Sequence, residues 1–127
     1  MSNSLKDVCA RYLAAWQKKD IEAITACVHP DIRFISPTAT FDGREKYLAA
    51  AKRFFTIFSK LDLNGEFYGD DAAMFSLDFH CVAPIGDCPT AEFVSFKDGL
   101  IQTDQLFFDA QPFAAMAHAK ATAAGGK

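Results

Sequence analysis

Apolar and polar side chains alternate strictly from Phe75 to Cys81, within the stretch of residues 74 to 82. The apolar set is Phe75, Leu77, Phe79 and Cys81, and the polar set is Ser76, Asp78 and His80. A period of two predicts a β-strand with one apolar face and one polar face. Similar runs lie at residues 61–68, 91–96 and 100–108, with Gly or Asp at nearly every junction. Four consecutive strands of this kind predict an antiparallel meander.

Helical spacing of apolar residues dominates the first part of the chain. Asn3 or Ser4 is placed to cap a helix that runs to about Lys18, and Asp20 is placed to cap a shorter helix. We expect the turn at residues 29–31 to end that second helix, because proline disfavours helical backbone at the residue before it. The N-terminal part therefore supplies two helices before the first strand.

A short strand at residues 32–36, a third helix at about 44–59 and an alanine-rich helix at about 112–122 complete the pattern. We expect the tail to be disordered from about residue 123. The order of helices and strands predicts one α+β domain spanning residues 1–127, with the helices gathered on one face of a curved sheet.

Composition excludes several classes of partner. Thirteen basic and sixteen acidic residues give a formal charge of -3 without a basic cluster, so neither nucleic acid nor a membrane is expected as a partner. The four cysteines show no CxxC spacing, and we expect reduced thiols in a cytoplasmic protein. Thirteen phenylalanines indicate a large core, a ring-lined cavity or an apolar interface. No metal site and no cofactor are predicted.

Four short segments resemble one known family. They are Arg11–Trp16, Lys19–Ala23, His29–Phe34 and Phe41–Gly43. In this order they resemble the nuclear transport factor 2-like superfamily, in particular its steroid-isomerase-like and polyketide-cyclase (SnoaL-like) branch. The resemblance implies a cone-shaped, cystatin-like fold, in which a curved antiparallel sheet carries helices on its concave face. It also implies a homodimer through the outer face of the sheet.

The resemblance assigns roles to three residues. Tyr12 matches a helix-1 tyrosine and Glu92 matches a protonated acid, which together stabilise an enolate oxygen in the steroid-isomerase branch. Ser36 stands where that branch has an aspartate base. A serine hydroxyl is too weak a base to take a proton from carbon at neutral pH unless another group activates it. We therefore expect very weak activity of the steroid-isomerase type.

The direction of the strand side chains decides which residues reach a pocket. Periodicity alone places the phenylalanines in the core, whereas the resemblance places the polar set inside. We favour the second assignment, which leaves the apolar residues for a dimer interface. The inward set is then Ser76, Asp78, His80, Glu92, Thr103 and Gln105, and the outward set is Phe75, Leu77, Phe79, Leu106 and Phe108.

The inward assignment predicts a pocket for a small apolar molecule that bears an oxygen. His80 would act as general acid or base, oriented by Asp78, while Tyr12 and Glu92 donate hydrogen bonds. The predicted substrate-binding residues are Trp16, Ser36, Phe54, Ser76, Thr103 and Gln105. Isomerisation, cyclisation or dehydration would suit such a site. The alternative is a non-catalytic binding or interaction module, in which Asp78 and His80 lie on the solvent-exposed face of a strand.

Overall fold

The computed structural model describes residues 4–125, with side chains up to residue 120. The elements are α1 (Leu5–Lys18), α2 (Ile21–Cys27), β1 (Val28–Ile35), β2 (Thr40–Asp42), α3 (Arg44–Phe55), β3 (Phe58–Tyr68), β4 (Ala72–Cys81), β5 (Asp87–Lys97), β6 (Leu100–Phe107) and α4 (Gln111–Gly125). The tail predicted to be disordered from about residue 123 overlaps the end of α4, which reaches Gly125, and residues 126–127 lie outside the described range. No helix in the described part of the chain is long and apolar enough to cross a bilayer.

The six strands form one curved sheet in the order β2-β1-β6-β5-β4-β3. The predicted meander β3 to β6 is present, and each of its neighbouring pairs is antiparallel. β1 pairs with β6 in parallel, which the sequence did not predict. Helices α1 and α3 pack with one face of the sheet around a single apolar core. The predicted α+β class with a curved sheet is confirmed.

Local polar residues fix where the first two helices begin. The Ser4 side chain accepts a hydrogen bond from the Asp7 backbone N–H, and the Asp20 side chain accepts one from Ala23 N–H. These are N-caps, which satisfy backbone donors that the first turn of a helix leaves unpaired. The caps predicted at Ser4 and Asp20 are therefore confirmed.

Two boundaries differ from the prediction. Strand β1 begins at Val28, because residues 29–31 continue as extended chain beside β6 and do not form a separate turn. Helix α3 ends at Phe55, and Phe58 already begins β3. The sequence pattern included Phe58 in α3 because Phe58 lies four residues after Phe54, which is helical spacing. The two rings do pack against each other, although Phe58 is on β3.

The favoured orientation of β4 is wrong. Phe75, Leu77 and Phe79 are buried in the core, so the alternating residues Ser76, Asp78 and His80 lie on the outer face of the sheet. Burial of three large side chains against α1 and α3 outweighs the polar alternative, at about 25 cal/mol per Å² of apolar surface. Periodicity alone had indicated the observed orientation, with the phenylalanines in the core.

The register between β4 and β5 explains why Glu92 does not share a face with Asp78. Glu92 lies opposite Phe75, while Asp78 lies opposite Pro89. Directly opposed residues share a face of the sheet, so Glu92 points inward with Phe75 and Asp78 points outward. The turn after β4 sets this register, and alternation within each strand does not reveal it.

An irregularity in β6, at the other end of the meander, also changes which side chains point inward. Ser95 pairs with Thr103, but the next residue, Phe96, pairs with Ile101, so one extra residue of β6 is accommodated. Ile101 and Asp104 are therefore both buried although they are three residues apart. Thr103 and Gln105 flank Asp104 and lie on the outer face, contrary to prediction. Leu106 and Phe108, predicted to point outward, line the interior.

Candidate functional site

An apolar cavity of about 250 Å³ lies between α3, the inner face of the sheet and the start of α4. Rings form much of its wall. The aromatic lining residues are Phe34, Phe41, Tyr47, Phe54, Phe79, Phe108 and Phe113. The predicted residues Ser36 and Phe54 are in the wall. Thr38 and Arg53 are the exposed members of the lining and mark its mouth.

A buried polar cluster adjoins this cavity at Tyr47, and we call it the buried acid cluster. Its members are Tyr12, Tyr47, Glu92 and Asp104. The Tyr12 hydroxyl oxygen is at the centre, 2.7 Å from Glu92 Oε2, 3.0 Å from Asp104 Oδ2 and 3.0 Å from the Tyr47 hydroxyl. Helices α1 and α3 and strands β5 and β6 therefore each supply one group. The predicted proximity of Tyr12 and Glu92 is present in the structure.

The hydrogen bonds of Tyr12 require a proton on one of the carboxyl groups. A phenol has one proton to donate, so Tyr12 can donate to Glu92 or to Asp104 but not to both at once. The remaining short contact is a hydrogen bond only when that carboxyl carries its own proton and donates to Tyr12. The geometry thus favours a cluster in which at least one acid is neutral.

Burial also favours a neutral acid, because it raises the pKa values of Glu92 and Asp104. Removal from water raises the pKa of Asp104 well above its usual range, and the nearby Glu92 charge raises it further. Desolvation also raises the pKa of Glu92, although hydrogen bonds from Asp104 and Tyr12 oppose that rise. Desolvation therefore keeps a proton on this pair of acids. Burial raises the pKa of Tyr12 and of Tyr47 as well, so both phenols stay protonated.

The end of the cluster near Tyr47 has unused hydrogen-bonding capacity. Among the side chains that the structure describes, Trp16 Nε1 and Asp104 Oδ1 are buried without a partner. Both side chains lie beside the Tyr47 hydroxyl. A buried polar atom without a partner costs about 1–3 kcal/mol, and neither Trp16 nor Asp104 lines the cavity, so a ligand would act on these atoms only through Tyr47.

Ser36 is occupied by the turn in which it lies. Its Oγ accepts hydrogen bonds from the backbone N–H groups of Thr38 and Ala39 and donates one to Ala39 O. The hydroxyl therefore stabilises the connection between β1 and β2. Its side chain has no carboxylate or imidazole within hydrogen-bond range among the described residues, so nothing there activates it as a base.

Trp16 lies behind the cavity wall and is not part of the lining. Its ring packs against Phe54, Phe55 and Phe58, with centroid separations of 5.3–6.4 Å. Its predicted contact with a ligand is therefore indirect, through Phe54. The chain has a single tryptophan, so its fluorescence reports on this wall.

His80 belongs to a second polar group on the outer face, which we call the outer histidine cluster. His80 Nε2 is 2.7 Å from Asp62 Oδ2, and its Nδ1 is 2.8 Å from Asp87 Oδ1. These hydrogen bonds raise the pKa of His80, that with Asp62 most strongly. Asp78 does not orient His80. Its carboxylate accepts a hydrogen bond from Asn64 at 2.9 Å.

The sequence prediction missed Tyr47 and Asp104. Tyr47 was counted as part of the apolar stripe of α3, and only its hydroxyl contact with Tyr12 distinguishes it from core. Asp104 falls out of phase because of the irregularity in β6. The signal available in the sequence was that Asp104 is the single charged residue of this strand.

The described residues contain no group of three or more His, Cys, Asp or Glu side chains that could hold a metal ion. Cys9, Cys27, Cys81 and Cys88 form no disulfide with one another. Burial raises the pKa of Cys9 to about 12, so this thiol is a poor nucleophile.

Fold and site together define a curved-sheet α+β domain of the nuclear transport factor 2-like type, with a buried acid cluster beside an apolar cavity. The chain belongs to the SnoaL-like domain family, whose model matches residues 9–103. That match covers every strand up to the middle of β6. No curated protein matches the sequence.

Solved structures extend the likeness of the fold. A protein from Kribbella flavida is 25% identical, over 94% of this chain and 98% of that one, with a TM-score of 0.83. A protein with a ketosteroid isomerase-like fold from Catenulispora acidiphila, solved with trimethylamine, is 15% identical over 86% and 90% with a TM-score of 0.72. An LEH-like epoxide hydrolase from M. tuberculosis is 13% identical over 94% of both chains with a TM-score of 0.70. At the two lower identities the likeness is one of fold.

Proposed function

We propose that the cavity binds a small, mostly apolar molecule and that Tyr47 donates a hydrogen bond to its oxygen. The observation that carries the proposal is the short chain of hydrogen bonds from the cavity wall at Tyr47 to Tyr12 and on to the two acids. In the arrangement that we propose, a protonated acid donates to Tyr12 and Tyr12 donates to Tyr47, which leaves the Tyr47 proton for the ligand. Each proton in such a chain strengthens the donor in front of it. The cluster thus supplies a polarised donor at the end of an apolar chamber.

The volume restricts the size of the ligand. Pockets for drug-sized molecules are roughly 300–1,000 Å³, and this cavity is below that range. A ligand of one or two rings, or a chain of comparable size, fits this volume better than a four-ring steroid. The oxygen of the ligand is a carbonyl or hydroxyl, because these groups accept a hydrogen bond from a phenol without adding charge to a desolvated site.

The chemistry that the site supports is stabilisation of negative charge on that oxygen. When a ketone loses a proton from the carbon next to its carbonyl, charge develops on the oxygen, and a positioned donor lowers the barrier. The lining contains neither carboxylate nor imidazole, so water takes the proton from carbon. Lack of a positioned base costs roughly two to four orders of magnitude in rate, and slow enolisation is therefore the expected activity.

Binding is tested with 2-octanone and with the change in Trp16 fluorescence. Tyr47→Phe removes the donor while keeping the ring, and we expect the ketone to bind about three- to ten-fold more weakly. Tyr68→Phe is the matched control, because that hydroxyl bonds to Glu66 away from the cavity. Unchanged affinity in Tyr47→Phe would contradict the proposed role.

Catalysis is tested separately by exchange of the hydrogens next to the carbonyl of 2-octanone in D₂O. We expect the protein to accelerate exchange and Tyr47→Phe to slow it. Binding without any acceleration would leave the alternative function, a non-catalytic ligand-binding module. The family resemblance to isomerases and cyclases and the likeness of fold to an epoxide hydrolase are compatible with either result.

A homodimer through the outer face remains part of the proposal, on different residues from those first expected. Phe75, Phe79 and Phe108 face inward and cannot form it. Instead an apolar patch is offered by Phe67, Met74, Phe93 and Phe107. Phe67 pairs with Met74 and Met74 with Phe93 across neighbouring strands, and Phe107 lies diagonally from Phe93, two residues after its partner Gln105. Phe67 is 66% exposed and Phe107 is 48% exposed, which is unusual for phenylalanine.

Light scattering tests the dimer at micromolar concentration. We expect a dimer for the unchanged chain and a monomer for the double variant Phe67→Lys, Phe107→Lys. Val82→Lys is the matched control, since Val82 is exposed and apolar but lies after β4, outside the patch. A monomer for the unchanged chain would refute this part of the proposal.

A further inference from the structure

One charged side chain lines the cavity, and it is Arg53 at the mouth. Arg53 is exposed, and it forms no ion pair with any side chain that the structure describes. The other two arginines near this part of the fold are engaged: Arg33 contacts Asp42 at 3.9 Å, and Arg44 donates to Val28 O at 3.3 Å. Arg53 thus offers an available guanidinium at the rim of an apolar chamber.

Arg53 and Tyr47 lie on the same helix, with Ala50, Ala51 and Phe54 lining the wall near them. Six residues of α-helix rise about 9 Å along the axis. This is the separation of the backbone positions of Tyr47 and Arg53, so a ligand that contacts both side chains needs two polar ends separated by an apolar body.

The inner end of the cavity favours a neutral polar group, whereas its mouth favours an anion. At the inner end, the acids of the buried acid cluster and the lack of water disfavour an anion. At the mouth, the guanidinium of Arg53 matches a carboxylate, to which it can donate two parallel hydrogen bonds. An acid would therefore enter with its neutral oxygen first and keep its carboxylate at the rim.

We infer that the ligand of this cavity is a small carboxylic acid with a second, neutral oxygen at its far end, and that Arg53 determines this specificity. The inference rests on the proposed function, since it concerns the same cavity. It assigns Arg53 to binding and not to chemistry, because Arg53 is at the opposite end from the buried acid cluster.

The test compares 2-octanone with 7-oxooctanoate, which have the same number of carbons and the same methyl ketone. Only the second has a carboxylate at the far end of the chain. We expect 7-oxooctanoate to bind roughly ten-fold more tightly, since the mouth is partly wet and the ion pair is screened. Added salt should reduce this preference without affecting 2-octanone.

Arg53→Gln should abolish the preference, because it should weaken the binding of 7-oxooctanoate roughly ten-fold more than that of 2-octanone. Lys52→Gln is the matched control, because Lys52 precedes Arg53 on the exposed side of α3 and does not line the cavity. Both positions are exposed, so neither change is expected to unfold the chain.

The outcomes separate the two proposals. Equal affinity of the unchanged protein for both ligands, or an equal loss for both in Arg53→Gln, overturns the inference about Arg53 and leaves the proposed pocket intact. A preference that disappears equally in Lys52→Gln overturns it as well, because general charge would then be the cause. Failure of both ligands to bind overturns the proposed function and the inference with it.

Discussion

The protein has two polar clusters that each contain two carboxyl groups, and burial in one and exposure in the other shift carboxyl pKa values in opposite directions. In the buried acid cluster, desolvation raises the pKa of Glu92 and Asp104. In the outer histidine cluster, the hydrogen bond with His80 lowers the pKa of Asp62. Burial decides between a carboxyl that keeps its proton and one that gives it up.

The difference shows why proximity of acid and imidazole is a poor guide to the functional site. His80 and Asp62 are at salt-bridge distance on the open face of the sheet, where water screens their interaction. The buried acid cluster has no histidine, yet it alone is next to a cavity. Three experiments test this difference between the buried acid cluster and the outer histidine cluster.

The largest effect is expected from removal of the central hydroxyl of the buried acid cluster. Tyr12→Phe leaves Tyr47, Glu92 and Asp104 without their common partner, and we expect the free energy of unfolding to fall by about 1–3 kcal/mol. Guanidinium chloride unfolding at constant pH measures it. Tyr68→Phe, whose hydroxyl is near the surface, should change it by less than about 0.5 kcal/mol. An equal loss of unfolding free energy in Tyr12→Phe and Tyr68→Phe would contradict the contrast between the buried and the exposed cluster.

The next effect is on the pH dependence of stability. The pKa of Asp104 in the folded protein is raised above the 3.8 of an unperturbed group, so its contribution to stability is complete below about pH 3.8. It is lost as the pH rises through the folded pKa, at up to about 1.4 kcal/mol per pH unit for one proton. Asp104→Asn should therefore flatten the decline of stability with pH. Identical slopes with and without the aspartate would show that Asp104 ionises normally.

The smallest effect is expected at the outer histidine cluster. Its hydrogen bonds raise the pKa of His80 above 6.5, so its contribution to stability is complete below pH 6.5 and is lost as the pH rises through the folded pKa. Magnetic resonance titration should show that Asp62→Asn lowers the pKa of His80 more than Asp87→Asn does. If the titration midpoint of His80 is unchanged in Asp62→Asn, the contact between His80 and Asp62 does not influence the pKa of His80.

Much of the fold followed from local patterns in the sequence. Caps at Ser4 and Asp20, the apolar stripe of α1 and the alternation in β4 each depend on neighbours within a few residues. The family resemblance correctly brought together Tyr12 and Glu92, which are 80 positions apart. Strand β2 is three residues long, too short for any period to show.

The remainder of the site depended on register between strands, which local patterns do not contain. Asp78 and Glu92 each alternate correctly within their own strands, but the turn between β4 and β5 places them on opposite faces. For Thr103 and Gln105, the extra residue in β6 reverses the alternation. A prediction of the site therefore needs the pairing of partners, because one step of slippage exchanges the two faces of a strand.

That extra residue in β6 also makes the acidity of the interior depend on strand pairing as much as on residue type. Deletion of Gln102 would leave Ile101 and Asp104 two residues apart, so ordinary alternation would keep both of them inside. With Gln102 present, regular pairing would instead turn one of them to the outer face. Either the core would then lose an isoleucine or the interior would lose a carboxyl without any substitution at Asp104. Alignments that compare only residue identities would miss such a change.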